Sequence, residues 1–245
     1  MDSSKNIPRA QDQLFAKETS AREKYAALVV GKTGLGSLLK YELIVMLTQT
    51  CPGALGLALR KTLYPLLLGS CGHNVVFGQN VVLRHPHKIH VRDNVVIDDN
   101  CLIDAKGESN EGIRIGSGVF IGRNSILSCK NGDIELAQGA NIGFNCEIFS
   151  ASRVQIGANV LMAAYSYVIG GDHDFSDPSR SVLEQTRHSV GVTIGEGAWI
   201  GAGAKILDGV TVGEGAIIGA AAVVREDVGP RAVAVGIPAR VVSTR

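Results

Sequence analysis

An apolar residue returns every six positions between Cys71 and Val224, and the count breaks only after every third return. Within each group of three the steps are six residues, whereas the steps between groups are 8, 12, 9, 8, 26 and 6 residues. A chain that accepts insertions at one corner in three winds around a three-sided prism. The anchors of the repeat are Cys71, Phe77, Leu83; Val91, Ile97, Ile103; Ile115, Ile121, Leu127; Leu136, Ile142, Ile148; Ile156, Met162, Val168; Ile194, Ile200, Ile206; and Val212, Ile218, Val224.

The other positions of the repeat fit the same prism. The residue after the anchor is often glycine, as at Gly143 and Gly201, which we interpret as a corner with positive φ. The fifth position is small or β-branched, as expected for a side chain that points into a narrow interior. A helix would instead repeat every 3.6 residues. We therefore predict an all-β solenoid, a parallel β-helix of seven coils about 30 Å tall.

The net charge and the cysteine content limit the expected partners and the expected cellular compartment. The formal net charge of +1 gives no field that would recruit nucleic acid. Five cysteines without paired spacing, and an N-terminus without a signal peptide, predict a cytoplasmic protein. We divide the chain into four segments: a polar leader at 1–24, a helical segment at 25–70, the β-helix at 71–228 with a loop at 169–193, and a C-terminal extension at 229–245.

The segment before the repeat is apolar and helical in pattern. We predict helices at Gly36–Thr50 and Ala54–Leu68, joined at Cys51-Pro52-Gly53. One interpretation is a cap over the open first coil, since the end of a solenoid needs cover. A second, compatible interpretation is a hairpin at residues 36–68 lying in a membrane interface, with Arg60 and Lys61 at the headgroups.

The longest interruption of the repeat, from Val168 to Ile194, is where chemistry is expected. It contains Asp172-His173-Asp174 shortly after two glycines. A carboxylate beside an imidazole raises its basicity, and such a histidine suits general-base catalysis toward a hydroxyl. The alternative is an ordinary surface histidine in a polar loop.

Three stretches together resemble the hexapeptide-repeat acetyltransferases, most closely the galactoside, maltose and nodulation acetyltransferases and their relatives in polysaccharide clusters. They are Gly143–His173, Thr193–Gly201 with its T-I-G-E-G-A-W-I-G sequence, and the G-I-P-A-R ending at Gly236–Arg240. The resemblance implies a left-handed β-helix, a homotrimer with active sites between neighbours, and acetyl-CoA as acyl donor with no metal. His173 matches the family's catalytic histidine, and Asp172 and Asp174 would line the site.

The same resemblance implies a CoA site along the last coils. Trp199 would lie near the reacting end, Ala202 and Ala220 would expose backbone amides to the pantetheine arm, and Arg240 would approach the phosphates. Arg225 would also contact CoA by this resemblance. It is followed by an acid where the family often carries Thr-Lys, and alternation along the strand would turn Arg225 toward a different face, away from CoA.

The expected acceptor is a sugar hydroxyl on a polysaccharide or lipid-linked glycan, acylated at the cytoplasmic face of the membrane. Asn145 is kept, but Gly143 and Ala151 stand where the galactoside enzymes hold their sugar with an Asn and an Asp. Three alternatives remain: amino-sugar N-acetylation, a scaffolding β-helix without activity, and a metal hydratase like the γ-class carbonic anhydrases. The last rests on His85 and His90, for which no third ligand is evident.

Overall fold

The computed structural model describes residues 20–245, and residues 1–19 of the predicted polar leader lie outside the described range. Three sheets, parallel except for the last strand of the chain, form the faces of one prism. The first face consists of β1 Ser70–Cys71, β4 Ile89–Val91, β7 Ile113–Ile115, β10 Asp133–Leu136, β13 Arg153–Ile156, β18 Val192–Ile194 and β21 Thr211–Val212. The second face consists of β2 Val76–Phe77, β5 Val96–Ile97, β8 Phe120–Ile121, β11 Asn141–Ile142, β14 Leu161–Met162, β19 Trp199–Ile200, β22 Ile217–Ile218, β24 Ala232–Val235 and β25 Arg240–Thr244. The third face consists of β3 Val82–Arg84, β6 Leu102–Asp104, β9 Ile126–Cys129, β12 Glu147–Ser150, β15 Tyr167–Gly170, β20 Lys205–Ile206 and β23 Val223–Val224.

The anchors of the sequence repeat form the core of this prism. On the second face Ile142 pairs with Met162, Met162 with Ile200, and Ile200 with Ile218, so each anchor stacks on the anchor of the next coil. Every anchor from Phe77 onward is buried. The predicted parallel β-solenoid is confirmed.

The chain continues past the seven predicted coils. Val228 forms a parallel bridge with Val212, and β24 pairs with β22 in parallel, which together make an incomplete eighth coil. β25 then turns back antiparallel to β24 and occupies the edge of the second face. The end of the solenoid is therefore closed by a strand of reversed direction.

The glycines after the anchors have a different cause from the one predicted. Gly201 does not have a positive φ; a Cβ there would lie 2.6 Å from the backbone nitrogen of Ala220 on the next coil. Positive φ occurs two residues later, at Gly203 (φ 70°) and at Asn145 (φ 53°). The glycine after the anchor thus allows successive coils to approach closely, while the following Asn or Gly makes the turn.

The helical segment covers the first coil. Together with the last residues of the leader it contains α1 Ala21–Tyr25, which continues as a π-helical turn at Ala26–Val30. Then follow α2 Leu35–Thr48, α3 Gly53–Leu63 and a 3₁₀ turn at Tyr64–Leu66. The hydroxyl of Tyr41 donates to the Leu83 carbonyl, and that of Tyr64 donates to the Val81 carbonyl. These buried bonds fasten the helices to the third face and to the turn that precedes it, between the second and third faces.

Arg60 corrects one part of the membrane interpretation. It is 1% exposed, and its guanidinium donates to the carbonyls of Phe77, Thr48 and Cys51 at 2.7–2.9 Å. It therefore supports the junction of the helices with the prism and cannot face lipid headgroups. Lys61 is exposed as expected. Within residues 20–245, no helix has the length and apolar character needed to cross a bilayer.

Candidate functional site

The long insertion forms an ordered hairpin at the edge between the third and first faces. Directly after β15, the strand β16 Asp172–His173 pairs antiparallel with β17 Arg187–His188, which places His173 opposite Arg187. The base of the hairpin is closed by Ser189, whose hydroxyl donates to the Gly170 carbonyl at 2.9 Å. Asp208, on the next coil, accepts from the amides of Val190 and Gly191. His173 thus projects from a fixed support.

Gln185 organises the far end of the hairpin. It is 9% exposed; its side-chain carbonyl accepts from the Asp177 amide, and its NH₂ group donates to the carbonyls of Asp177 and Arg180. Sequence reasoning missed Gln185, Ser189 and Asp208. Asp208 could have been predicted by comparing the two longest interruptions of the repeat. At the second-longest one, Asp133 on the next coil likewise accepts from two consecutive amides, those of Glu111 and Gly112.

The two aspartates beside His173 bind backbone amides rather than its ring. Asp172 accepts from the amide of His173 at 2.7 Å, and Asp174 accepts from the amide of Ser176 at 2.9 Å. The hydrogen bond from Ser176 holds the pKa of the Asp174 carboxyl below its usual value. In the part of the chain that the structure describes, the Nδ1 atom of the His173 ring is buried without a hydrogen-bond partner. The expected carboxylate–imidazole bond is therefore absent from the single protomer described.

The predicted acceptor residue Asn145 lies at a different corner. It occupies the turn between the second and third faces, where its Oδ1 accepts from Asn124 at 3.2 Å. This bond and its positive φ give Asn145 a structural role in the turn. Ala151 lies at the base of the hairpin instead, since a Cβ on Gly171 would be 2.8 Å from that of Ala151. One protomer brings together His173 and Ala151 but places Asn145 at another corner.

The residues expected to bind CoA cluster on the later coils. Trp199 is 48% exposed on the outside of the second face, between Leu161 and Ile217 of the adjacent strands. Ala202 and Ala220 are exposed at the corner between the second and third faces, on consecutive coils. These positions leave small side chains beside an exposed aromatic ring.

Two arginines meet near the end of the solenoid. The Arg225 Nε and Arg240 Nη1 atoms each lie 3.6 Å from the same Glu226 oxygen, and all three side chains are exposed. Arg225 is therefore held at the same carboxylate as Arg240. The two guanidinium groups exceed the one carboxylate by one positive charge.

The histidines considered as metal ligands are engaged elsewhere. The His85 Nε2 atom lies 2.8 Å from the Ala27 carbonyl, and burial lowers the pKa of His85 to about 4. The His90 Nδ1 atom lies 3.0 Å from the Ser70 hydroxyl. Among residues 20–245, no three metal-ligating side chains are grouped closely enough to hold an ion.

Parts of this chain are similar in sequence to known proteins. The family description "Bacterial transferase hexapeptide (six repeats)" matches residues 191–226. The protein named "Probable acetyltransferase Rv3034c" of Mycobacterium tuberculosis is 32% identical over 163 residues, which is 66% of this chain and 54% of that protein. Nodulation protein L of Rhizobium meliloti is 40% identical over 109 residues, 44% of this chain and 58% of its own length. The chain thus spans little more than half of either relative.

A solved structure shares the fold. A variant of AntD, an N-acyltransferase from Bacillus cereus in complex with dTDP and coenzyme A, superimposes with a TM-score of 0.54 at 23% identity, over 81% of this chain and 91% of that one. The repeat, the three-sided prism and the matched residues agree with the family predicted from the sequence. The match to the hexapeptide-repeat transferases themselves covers residues 191–226, and the two relatives are similar to this chain over parts of their length.

Proposed function

We propose that this protein is an acyltransferase that moves an acetyl group from acetyl-CoA to a sugar hydroxyl. The observation that carries the proposal is the ordered hairpin that holds His173 at the one edge where the repeat is interrupted. The relative named as a probable acetyltransferase supports the class of reaction.

In the proposed step, the imidazole of His173 takes the proton from the acceptor hydroxyl while that oxygen attacks the thioester carbonyl. The tetrahedral intermediate then expels the CoA thiolate, which takes the proton back from the imidazolium. A general base contributes roughly 10²–10⁴-fold to such a rate. Placing both substrates in one groove contributes about 7–11 kcal/mol in favourable cases. This step calls for no metal.

The last coils suit CoA as the donor. Ala202 and Ala220 leave the corner backbone open to a narrow pantetheine arm, and Trp199 offers an aromatic surface beside it. Arg225 and Arg240 would bind the phosphates, for which guanidinium groups are well suited. Glu226 would then exchange its contacts with both arginines for solvent.

A homotrimer would complete the site. His173 projects from the corner between the third and first faces, whereas Asn145 and Ala202 lie at the corner between the second and third faces. A cyclic arrangement of three prisms places one kind of corner against the other in every interface. The groove between neighbouring copies would then hold the catalytic base of one chain and the CoA residues of the next.

The decisive experiment measures CoA release from acetyl-CoA against free sugars, amino sugars, polysaccharides and lipid-linked glycans. The His173→Ala variant should lose about 10²–10⁴-fold in acceptor-dependent rate. His188→Ala is the matched control, because His188 is exposed on the opposite strand of the same hairpin and should keep the rate. An unchanged rate in His173→Ala would contradict the proposal and favour the scaffolding alternative. Preference for amino sugars would replace O-acetylation by N-acetylation, which the same base can serve.

We also propose that the helical segment attaches the protein to the cytoplasmic face of the membrane. Leu39, Leu43 and Met46 of α2 and Leu55 of α3 expose large apolar side chains, although the buried faces of these helices already cover the prism. The double variant Leu43→Ser, Met46→Ser should reduce flotation with anionic liposomes, and Phe175→Ser in the hairpin should not. Equal flotation of both variants and the wild type would rule out attachment through α2.

A further inference from the structure

A concave site lies beneath the helical segment, away from the residues expected to bind CoA. It is a cavity of about 1070 Å³ between the stretch from α1 to the start of α2 and the interrupted corner of the first three coils. Its floor includes Arg84, Lys88, Lys106 and Lys130 from that corner. Leu35 and Leu38 of α2 form part of the opposite wall.

The lining of this cavity is strongly cationic, although the whole chain is almost neutral. Six lysines and arginines line it against three carboxylates, an excess of three positive charges. The cations are Arg22, Lys32, Arg84, Lys88, Lys106 and Lys130, and the carboxylates belong to Glu23, Asp104 and Glu108.

Three of these cations, on the floor of the cavity, are partly buried. Burial lowers the pKa of Lys88, Lys106 and Lys130, so these amines have lost part of their hydration. Lys88 is fixed by bonds to the Gly107 carbonyl and the Asn110 side chain at 2.7 and 2.9 Å. The Lys130 ammonium lies 5.6 Å from the centre of the Phe149 ring. Partly desolvated cations interact strongly with a multivalent anion, because the local dielectric constant is low.

The cavity lies on the same edge of the prism as the hairpin that holds His173. The amide of Lys130 donates to the Ser150 carbonyl on the next coil, and the amide of Ala151 donates to the Gly170 carbonyl on the coil after that. Two coil steps of about 4.8 Å each therefore separate the cavity floor from the base of the hairpin, roughly 10 Å in all. Arg187, which lies opposite His173, is close enough for its positive charge to repel that of Lys130 and lower the pKa of Lys130 further.

We propose that this cavity binds the diphosphate group of a diphosphate-linked glycan acceptor. The charge of the lining fits a diphosphate, and the roughly 10 Å between the cavity and the hairpin fits a sugar extending from that diphosphate toward His173. Leu35 and Leu38 add an apolar wall, and it continues into the exposed leucines of α2. This inference rests on the proposed function for the acceptor's role, but binding itself is independent of catalysis.

The test is equilibrium binding to the full chain, measured by calorimetry with inorganic pyrophosphate, UDP and geranylgeranyl diphosphate in detergent micelles. The proposal predicts that the Lys106→Gln, Lys130→Gln variant binds at least about tenfold more weakly than wild type, since it loses two charge-assisted contacts. The control Lys61→Gln removes an exposed lysine of α3 outside the cavity and should bind as wild type does. Saturating CoA is included in every titration to occupy the phosphate site near Arg240.

The outcomes separate this proposal from the proposed function. Tighter binding of geranylgeranyl diphosphate than of UDP would support the site and identify a lipid-linked acceptor, whereas the reverse order would support it with a nucleotide-linked acceptor. Equal binding by wild type and the double variant, or no binding of any probe at millimolar concentration, would overturn the cavity proposal. The His173→Ala assay is unaffected by that result, because acetyl transfer to a neutral glycan does not need this cavity.

Discussion

The prism and the hairpin at residues 171–191 are stabilised in opposite ways. In the prism each coil buries the same positions as its neighbours, and the Ile148 side chain, for example, is fully enclosed between those of the adjacent coils. In the hairpin the large apolar side chains are exposed, with Phe175 at 74%, and polar bonds from Gln185, Ser189 and Asp208 hold the shape.

This difference shows where a repeat protein can change its chemistry. A coil residue is constrained by neighbours above and below, so most substitutions there cost stability. The hairpin is constrained at a few polar bonds, and its remaining positions are free to serve a substrate. Substitutions in the prism should therefore reduce stability most, and substitutions in the hairpin should mainly reduce activity.

Truncating a buried side chain of the prism should lower its stability, whereas truncating an exposed side chain of the hairpin should not. Ile148→Ala should lower the free energy of unfolding by about 2–5 kcal/mol, because it leaves a cavity in a closely packed interior. Phe175→Ala in the hairpin should change it by less than about 0.5 kcal/mol. Denaturant unfolding followed by circular dichroism measures both values, and a similar loss in the two variants would contradict the division.

Acid should weaken the contact of the helical segment with the prism. Burial holds the pKa of His85 at about 4 when folded, below the ordinary value of 6.5. The unfolded chain therefore binds more protons between these values, and stability falls as the pH falls from about 6.5 to 4. At about 1.4 kcal/mol for each pKa unit, the loss reaches at most roughly 3.5 kcal/mol.

The His85→Gln variant should show a smaller fall in the free energy of unfolding between pH 7 and pH 5 than wild type. His188→Gln should keep the wild-type pH dependence, since His188 is exposed. An identical pH dependence in all three proteins would mean that His85 is not the group responsible.

Loss of Gln185 should loosen the hairpin without weakening the prism. Gln185→Ala removes three hydrogen bonds, and we expect faster amide exchange at residues 172–188 together with a drop in acetyl transfer of about tenfold. Gln138→Ala, at an exposed corner of the prism, is the control. Unchanged exchange in the hairpin would show that other contacts hold it.

The smallest effect concerns the turns of the prism. Asn145→Ala places an ordinary side chain at a φ of 53° and should cost about 1 kcal/mol in the free energy of unfolding. Asn145→Gly relieves the strain and should cost only a few tenths. If Asn145 instead serves the acceptor, both variants would lose acetyl transfer equally, whatever their stability.

The prism could be predicted from sequence because its signal is repeated many times. Each anchor is apolar for the same reason, so an exception at one position does not hide the period. The place of the hairpin could also be predicted, since it is where the period stops. Its strand pairing could not, because Gln185 and Ser189 bind backbone groups whose positions depend on the folded hairpin.

Two errors share one cause. The sequence predicts a turn conformation for Gly201 and an exposed surface for Arg60. Each is instead determined by a group distant along the chain, the amide of Ala220 for Gly201 and the carbonyl of Phe77 for Arg60. The cationic cavity could not be predicted from sequence for the same reason, since its lysines come from separate coils and its cover comes from helices. Contacts between residues on different coils cannot be predicted from the spacing of residues close together in the sequence.

The uniform stacking of the coils has a consequence for acceptor choice. Any two sites on one edge of the prism are separated by a whole number of coil steps, so their distance changes only in increments of about 4.8 Å. Deleting the coil at residues 133–150 would bring the basic cavity one increment closer to His173 without redesigning either. The number of coils therefore sets the distance between the cavity and His173, and an acceptor of different length could be matched by adding or removing one coil.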